Sequence, residues 1–484
     1  MTTMEELELD EPGYFWWRDE AYPADHFASE NGVTGRLKIK KSGEINLELD
    51  SVLPRKDAGH GITRVLGRKK GEETPRAIQG ILKTSGRRVI LVDAVYSGGQ
   101  FHSHRFTWER YLATMCLLGE TDFPSNRTIP TFSKIELNLT GLENWLVHGT
   151  LKYSSTRRTF RVRLDEYRGQ VYQTPFGRLA FEKRTEVDGL DGMHHFKASV
   201  RELMTLTLRR SRSFQVEEVR EEFVHLQDLF TVLSGSSYQL KWPSVVLSKG
   251  KRIYTLIFRR VGGIAKAPEL HELPLKFDAI KSQFGDIYSA WREKREAFGP
   301  GFFYYLSTKR DAKMYVENHF SNLIQGLESF HRTKYGDKPV TGALQEKIDR
   351  IVTQVGKSDD RRWIRGKLVH ACEPSLAERL SELFTALPIG IDHDLLKTFA
   401  TTCAHLRNDI AHYGGLRSRT ASASFLRDTS LKNEVVGYLY HMTLLNEIGL
   451  SGHAIKVWAG ENLAGMVYRH YLVAIGFLKP AGTK

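Results

Sequence analysis

A chain of 484 residues is longer than one hydrophobic core usually organises, so two or three domains are expected. Its 41% hydrophobic and 26% charged residues exclude a disordered chain, and no apolar run approaches the roughly 18 residues of a membrane span. The 70 Lys+Arg against 57 Asp+Glu leave a net charge of +13, which suits a polyanionic partner and suits a plain basic surface equally well. Cys116, Cys372 and Cys403 are far apart and form no Cys-x-x-Cys pair, so neither a disulfide framework nor a zinc site is indicated. The first residues, Met1-Thr-Thr-Met-Glu-Glu-Leu-Glu-Leu-Asp-Glu, are acidic where a signal peptide needs basic and then apolar residues. A soluble, cytoplasmic protein is the expectation, with no membrane partner, metal or cofactor.

From about residue 13 to 260 the signals are those of strands. Val33, Leu37 and Ile39 alternate with polar residues up to Lys41-Ser42-Gly43, and Ile45, Leu47 and Leu49 alternate away from it, which predicts a hairpin. Further strands are predicted at 88–96, 134–140, 160–164, 204–208 and 253–258. Val219, Phe223, Leu226, Phe230 and Leu233 fall at helical spacing, so one helix crosses this region. Residues 67–75 and 187–192 read as exposed loops. His102-Ser-His104 and His194-His195 lack a carboxylate or thiol at ligand spacing and read as surface or structural histidines. Arg209-Arg210-Ser-Arg212 could touch phosphate, although solvated basic faces are commoner. There is no Gly-rich phosphate loop with its lysine.

Phe277, Ile280, Phe284, Ile287 and Trp291 form a helical stripe that ends at Gly299-Pro300-Gly301, and the domain junction is placed there. Beyond it the pattern is helical. Stripes run through Val316, Phe320, Leu323, Leu327 and Phe330; through Leu344, Ile348, Ile351, Val352 and Val355; and through Leu376, Leu380, Leu383 and Phe384. Two more follow, one through Leu396, Phe399, Cys403, Leu406 and Ile410, the other through Leu431, Val435, Tyr438, Met442 and Leu445. The expectation is an α+β protein of two domains, a β-rich one over 13–298 and an all-α bundle over 302–484.

The chemistry concentrates at Leu406-Arg407-Asn408-Asp409-Ile410-Ala411-His412-Tyr413-Gly414-Gly415, where the fourth stripe ends. Arg407 and His412 lie off the apolar stripe, and the paired glycines offer a helix stop. An imidazole can take the proton of a ribose 2'-hydroxyl or give one to a leaving 5'-oxygen. A guanidinium can clamp the scissile phosphate by two hydrogen bonds. Asn408 could orient the phosphate or the histidine. The outcome would be metal-free RNA cleavage to a 2',3'-cyclic phosphate and a 5'-hydroxyl. Spacing alone does not select this pair, because Arg55/His60, Arg220/His225 and Arg365/His370 share it. The asparagine, the helix end and the Tyr-Gly-Gly exit separate Arg407/His412 from the others. On an ideal helix the two are about 140° apart, so either the helix end is distorted or a second subunit completes the site.

Two further groups are candidates. Arg361, Arg362, Trp363, Arg365 and Lys367 combine cations with an aromatic, and could follow an RNA backbone and stack on a base. They could equally form a helix whose Trp363 and Ile364 face the core. Glu328, just off the first bundle stripe, could support Arg407 or His412, or form an ordinary surface ion pair.

Arg407-Asn-Asp-Ile-Ala-His412 resembles the Arg-x4-His signature of HEPN ribonucleases, and Leu323-Ile-Gln-Gly-Leu-Glu-Ser-Phe-His331-Arg332 resembles the first helix of the ApeA-like HEPN branch. Gly13-Tyr14-Phe15-Trp16-Trp17 with the hairpin Gly35-Arg-Leu-Lys-Ile to Ile45-Asn-Leu-Glu-Leu49 is similar to the ApeA N-terminal domain. The resemblance implies an anti-phage endoribonuclease acting by abortive infection. It also implies a homodimer or higher oligomer, with tRNA among the candidate RNA substrates, a phage-derived trigger and a sensing or regulatory N-terminal domain. Rival expectations are a HEPN module that only binds RNA or a protein, and an active N-terminal domain on a dimerising bundle.

Overall fold

The computed structural model describes residues 7–20, 28–53, 76–100, 107–124, 128–139, 141–146, 151–157, 159–165, 167, 169–188, 199–260, 268–269, 273, 275–310, 314–336, 342–368, 373–413, 422–461 and 463–479. The chain divides into two compact units, Met1–Gln227 with Gln239–Ala267, and Asp228–Tyr238 with Pro268–Lys484. The histidines at 102, 104, 194 and 195, both residues of the pair Arg55/His60, His370 of the pair Arg365/His370, and the glycines after Tyr413 lie outside the described residues.

In the first unit six antiparallel strands close on themselves: β1 (Leu7–Trp17), β2 (Val33–Lys40), β3 (Ile45–Leu49), β4 (Arg76–Leu82), β5 (Arg88–Gln100) and β6 (Trp108–Ala113). Pairing runs β1-β2-β3-β6-β5-β4 and returns to β1, which leaves the barrel no open edge. The predicted hairpin is β2–β3, with Leu37 opposite Leu47 and Ile39 opposite Ile45, all fully buried inside the barrel. Its turn needs Gly43, whose φ of +83° disfavours any residue with a Cβ. Phe15, Trp17, Ile78, Val89 and Leu91 fill the same core.

β5 belongs to two arrangements at once. Its second half pairs with β6 in the barrel, while Arg88–Val92 pairs with β7 (Met115–Gly119) and opens a sheet. That sheet continues through β15 (Ile253–Phe258), β14 (Ser244–Leu247), β8 (Phe132–Asn138), β13 (Ser199–Phe214), β12 (Gly177–Asp188) and β11 (Val171–Thr174). A short helix α1 (Glu143–Leu146) follows β8, and β9 (Leu151–Ser155) with β10 (Phe160–Leu164) forms a separate two-stranded ribbon. The predicted crossing helix is α2 (Val216–Ser234), which buries Val219, Phe223 and Leu226.

The second unit is helical: α3 (Phe277–Ile280), α4 (Phe284–Phe298), α5 (Pro300–Lys309), α6 (Val316–Tyr335), α7 (Gly342–Thr353), α8 (Ser358–Leu368), α9 (Leu376–Thr385), α10 (His393–Tyr413), α11 (Ser422–Glu447), α12 (Gly452–Glu461) and α13 (Leu463–Ala474). The division between units falls earlier than the expected junction near residue 300. The α4 stripe packs on the bundle: Trp291 is fully buried with its ring 5.1 Å from that of Phe302, Arg295 holds the buried Asp228, and Lys294 holds Glu447. Gly299-Pro300-Gly301, read from sequence as a break, is a helix-to-helix corner. Gly299 has a φ of +45°, Pro300 starts α5, and a Cβ on Gly301 would come within 2.9 Å of the Phe330 backbone.

The stripes in α6, α9, α10 and α11 are buried except at Val316, Leu376, Ile410 and Leu431, which are half-buried, whereas α7 buries Ile348 and Val352 and leaves Ile351 exposed. One buried group carries a consequence for pH. His441 on α11 donates from Nε2 to the Val232 carbonyl at 2.6 Å and stacks beside Tyr305. Burial, reinforced by the nearby Lys309 cation, pushes its pKa down to about 3. The unfolded imidazole takes a proton near pH 6.5 and the folded one does not, so stability is present above that pH and falls as pH drops toward 3. Denaturant melts of the wild type at pH 7 and pH 5 are expected to differ by about 2 kcal/mol from this group, and His441→Gln removes that share of the pH dependence.

Candidate active site at the end of α10

Helix α10 is held by its apolar side. Leu396, Ala400, Cys403 and Ala404 are at most 4% exposed, and Phe399 and Leu406 are 7% exposed. The stripe then thins. Ile410 is only half-buried, as are Arg407, Asn408 and Asp409, and His412 is exposed. Ile410, expected as core, therefore packs with one side only, and the last turn of the helix carries its polar groups toward solvent.

The helix stays regular through Tyr413, so no distortion of its end brings Arg407 and His412 onto one face. On regular geometry they remain about 140° apart and about 7.5 Å apart along the axis. Arg407 Nη1 donates to Asn408 Oδ1 at 3.4 Å, a long contact that ties the two side chains together. Among the described residues His412 has no hydrogen-bond partner.

At the N-terminal end of α9 lies a polar cluster that sequence reading did not assemble. Helices α9 and α10 form a hairpin in which the Phe384 and Phe399 rings lie 6.3 Å apart. Eight residues back from Phe384 is Leu376, and eight forward from Phe399 is Arg407. At about 1.5 Å per residue a regular antiparallel hairpin sets Leu376 about level with Arg407. Ser375 caps α9 in a reciprocal capping box with Glu378. Arg379, only 1% exposed, donates to the Pro374 carbonyl at 2.9 Å and to Glu373 at 3.3 Å. It also donates to His331 Nδ1 at 3.4 Å, so the His331 proton sits on Nε2, which donates to Glu382 at 3.0 Å. Glu373 accepts from Arg332 at 3.0 Å, and Arg332 in turn pairs with Glu328 at 3.2 Å. Parts of this cluster left a signal in the sequence, though not their meeting: Ser375-Leu-Ala-Glu378 is a capping-box pattern, and His331-Arg332 ends the segment that carried the resemblance.

Glu328 thus makes the ion pair with Arg332 on its own helix, and no contact to Arg407 or His412 is seen. Arg361, Arg362, Trp363, Arg365 and Lys367 lie on α8, which buries none of its residues, and Trp363 is 65% exposed. Trp363 does not face a core. Arg361, Arg362 and Arg365 line an open cleft of about 330 Å³ together with Val352, Thr353 and Ser358. In the first unit Arg210 is held by Glu218 and Glu222, and Arg212 by Glu218, so this basic run serves the contact between β13 and α2. Burial pushes the Cys116 thiol up to about 12 and raises the Cys403 thiol as well, which makes both poor nucleophiles. Among the described residues no group of three His, Cys, Asp or Glu side chains is arranged to hold a metal ion.

Comparison with known families matches residues 12–291 to the ApeA N-terminal domain 1 and residues 321–452 to the Apea-like HEPN domain. The chain belongs to the ApeA family. No curated protein and no solved structure matches it. The ApeA-like HEPN match takes in α6 through α11 and with them Arg407, Asn408 and His412. HEPN domains are generally ribonucleases and often dimerise, and the ApeA family fits a role in anti-phage defence. No helix among the described residues is long and apolar enough to cross a membrane.

The buried Arg379 sets a test of the cluster. Arg379→Ala leaves Glu373 and His331 without their buried cation and is expected to cost about 3–5 kcal/mol in denaturant melts. Arg362→Ala, on an ion pair whose partners are 83% and 85% exposed, is expected to leave the melt unchanged.

Proposed function

We propose that this ApeA-family protein is a metal-independent endoribonuclease of anti-phage defence, cutting tRNA or a comparably folded RNA so that infection aborts. The observation that carries the reading is the position of Arg407, Asn408 and His412: inside the ApeA-like HEPN match, at the end of a packed helix, with the imidazole open to solvent.

In the proposed reaction the ribose 2'-oxygen attacks phosphorus and the bond to the 5'-oxygen breaks. The 2'-proton passes to a base, the leaving oxygen takes a proton from an acid, and the products are a 2',3'-cyclic phosphate and a 5'-hydroxyl. His412 is one of the two acid/base groups. Arg407, aligned by Asn408, binds the phosphate and stabilises its added charge in the transition state. A regular α10 holds one arginine and one histidine on different faces, which favours a homodimer in which two such helix ends meet over one phosphate. The exposed cations of α8 guide the RNA strand, with Trp363 as a stacking surface. The β-barrel unit senses the trigger and restrains the nuclease.

His412→Ala is expected to fold as the wild type, because the side chain is exposed, and to lower RNA cleavage by at least 100-fold. A purified variant that cuts at the wild-type rate overturns the assignment. Arg361→Ala/Arg365→Ala is expected to raise KM and leave kcat near the wild-type value, the signature of lost uniform binding.

A further inference from the structure

The ribbon of β9 and β10 carries charge that the proposed nuclease does not use. Every described side chain from Lys152 to Arg163 is exposed. Two strands alone are marginally stable in water, and packing in a core does not account for these exposed residues. What it presents is cationic. Lys152 stands opposite Arg163 and Ser154 opposite Arg161, while Tyr153 stands opposite Val162. Opposed residues share a face and neighbours alternate, so Lys152, Ser154, Arg161 and Arg163 form a basic face. Tyr153, 73% exposed, and Val162, 38% exposed, lie on the reverse.

Charge along this face is graded. Lys152 and Arg163 would repel one another at the base of the ribbon, and Asp165 holds both, at 2.5 Å and 2.9 Å. Toward the tip there is no such compensation. Arg161 and the turn residue Arg157 have no acidic partner among the described residues, and the turn is closed by the Thr156 amide donating to the Thr159 carbonyl at 2.8 Å.

We infer that this ribbon is an arm that docks in the major groove of double-stranded DNA, with Arg157 and Arg161 reaching phosphates and base edges. The groove, about 12 Å wide and about 8.5 Å deep, admits a two-stranded ribbon whose strands lie about 4.8 Å apart. A duplex RNA does not, because its major groove is too deep and narrow for side chains to read. A single strand needs its stacking ring and its cationic track on one face, and here Tyr153 is on the face opposite the arginines. The basic face complements a polyanion with charge on both walls of a groove.

The experiment is fluorescence anisotropy of the full chain with a short labelled DNA duplex, a duplex RNA and a single-stranded DNA of equal length, and polyglutamate as a competitor. Arg157→Glu/Arg161→Glu is expected to weaken duplex DNA binding at least about tenfold near 0.1 M salt, and to lower the slope of log K against log salt by about 2. Arg161→Lys, which keeps the charge, is expected to stay within about threefold of the wild type, and the melting curves of both variants to match it. Wild-type protein that ignores duplex DNA, or a double variant that binds it unchanged, overturns the inference. So does a preference for duplex RNA or single-stranded DNA, or displacement of the DNA by polyglutamate at equal charge.

Discussion

The packing of one side of α10 is the constraint on which the second unit's chemistry depends. Leu396, Phe399, Cys403 and Leu406 fix the helix in the bundle, and the weakening of that stripe at Ile410 frees the last turn. A helix buried equally along its length would hide Arg407 and His412. One with no buried side would not hold them still, and a misplacement of about 1 Å at a reacting phosphate costs on the order of 100-fold in rate. The regularity of the same helix has a cost. It separates the guanidinium from the imidazole by about 140°, so a single copy offers each phosphate only part of the proposed catalytic set.

The cluster of Arg379, Glu373, Arg332 and His331 joins α6 to the N-terminal end of α9 by charged hydrogen bonds. Replacing such a cluster with apolar residues can be neutral or stabilising, so its presence is poor evidence of stability gained. It does fix direction. Arg379 can satisfy Pro374, Glu373 and His331 together only when the segment before α9 lies in one position.

Much of the fold was legible because burial leaves a period in the sequence. The hairpin of β2 and β3 and the stripes of α6, α9, α10 and α11 follow alternation of two or of three and four. In the long strands β12 and β13 the period is lost where burial is interrupted. β13 was read only at Met204–Leu208, since its last residues are arginines that pair with glutamates of α2 and not with a core. β12, with Glu182, Lys183 and Arg184 in its middle, hides its strand character among charges exchanged with β13, as in the pair of Lys183 and Glu202 at 3.2 Å. α5 was missed because Gly299-Pro300-Gly301 signals a break, and here the break is a corner between two helices in close contact. At the site, the motif and its helix end could be read from residue types. The cluster around Arg379 could not, because it joins residues about fifty positions apart. α8 buries none of its residues and so leaves no clear apolar stripe, whereas β10 was legible at 160–164 from the alternation of Phe160, Val162 and Leu164 with arginines.

The central claim, that the end of α10 cuts RNA, is tested most directly by sequencing cellular RNA ends after expression of the wild type and of His412→Ala, with and without phage infection. The account predicts discrete cuts with 2',3'-cyclic phosphate ends in the wild type, absent from the variant. Identical RNA ends from the two proteins under both conditions would contradict it.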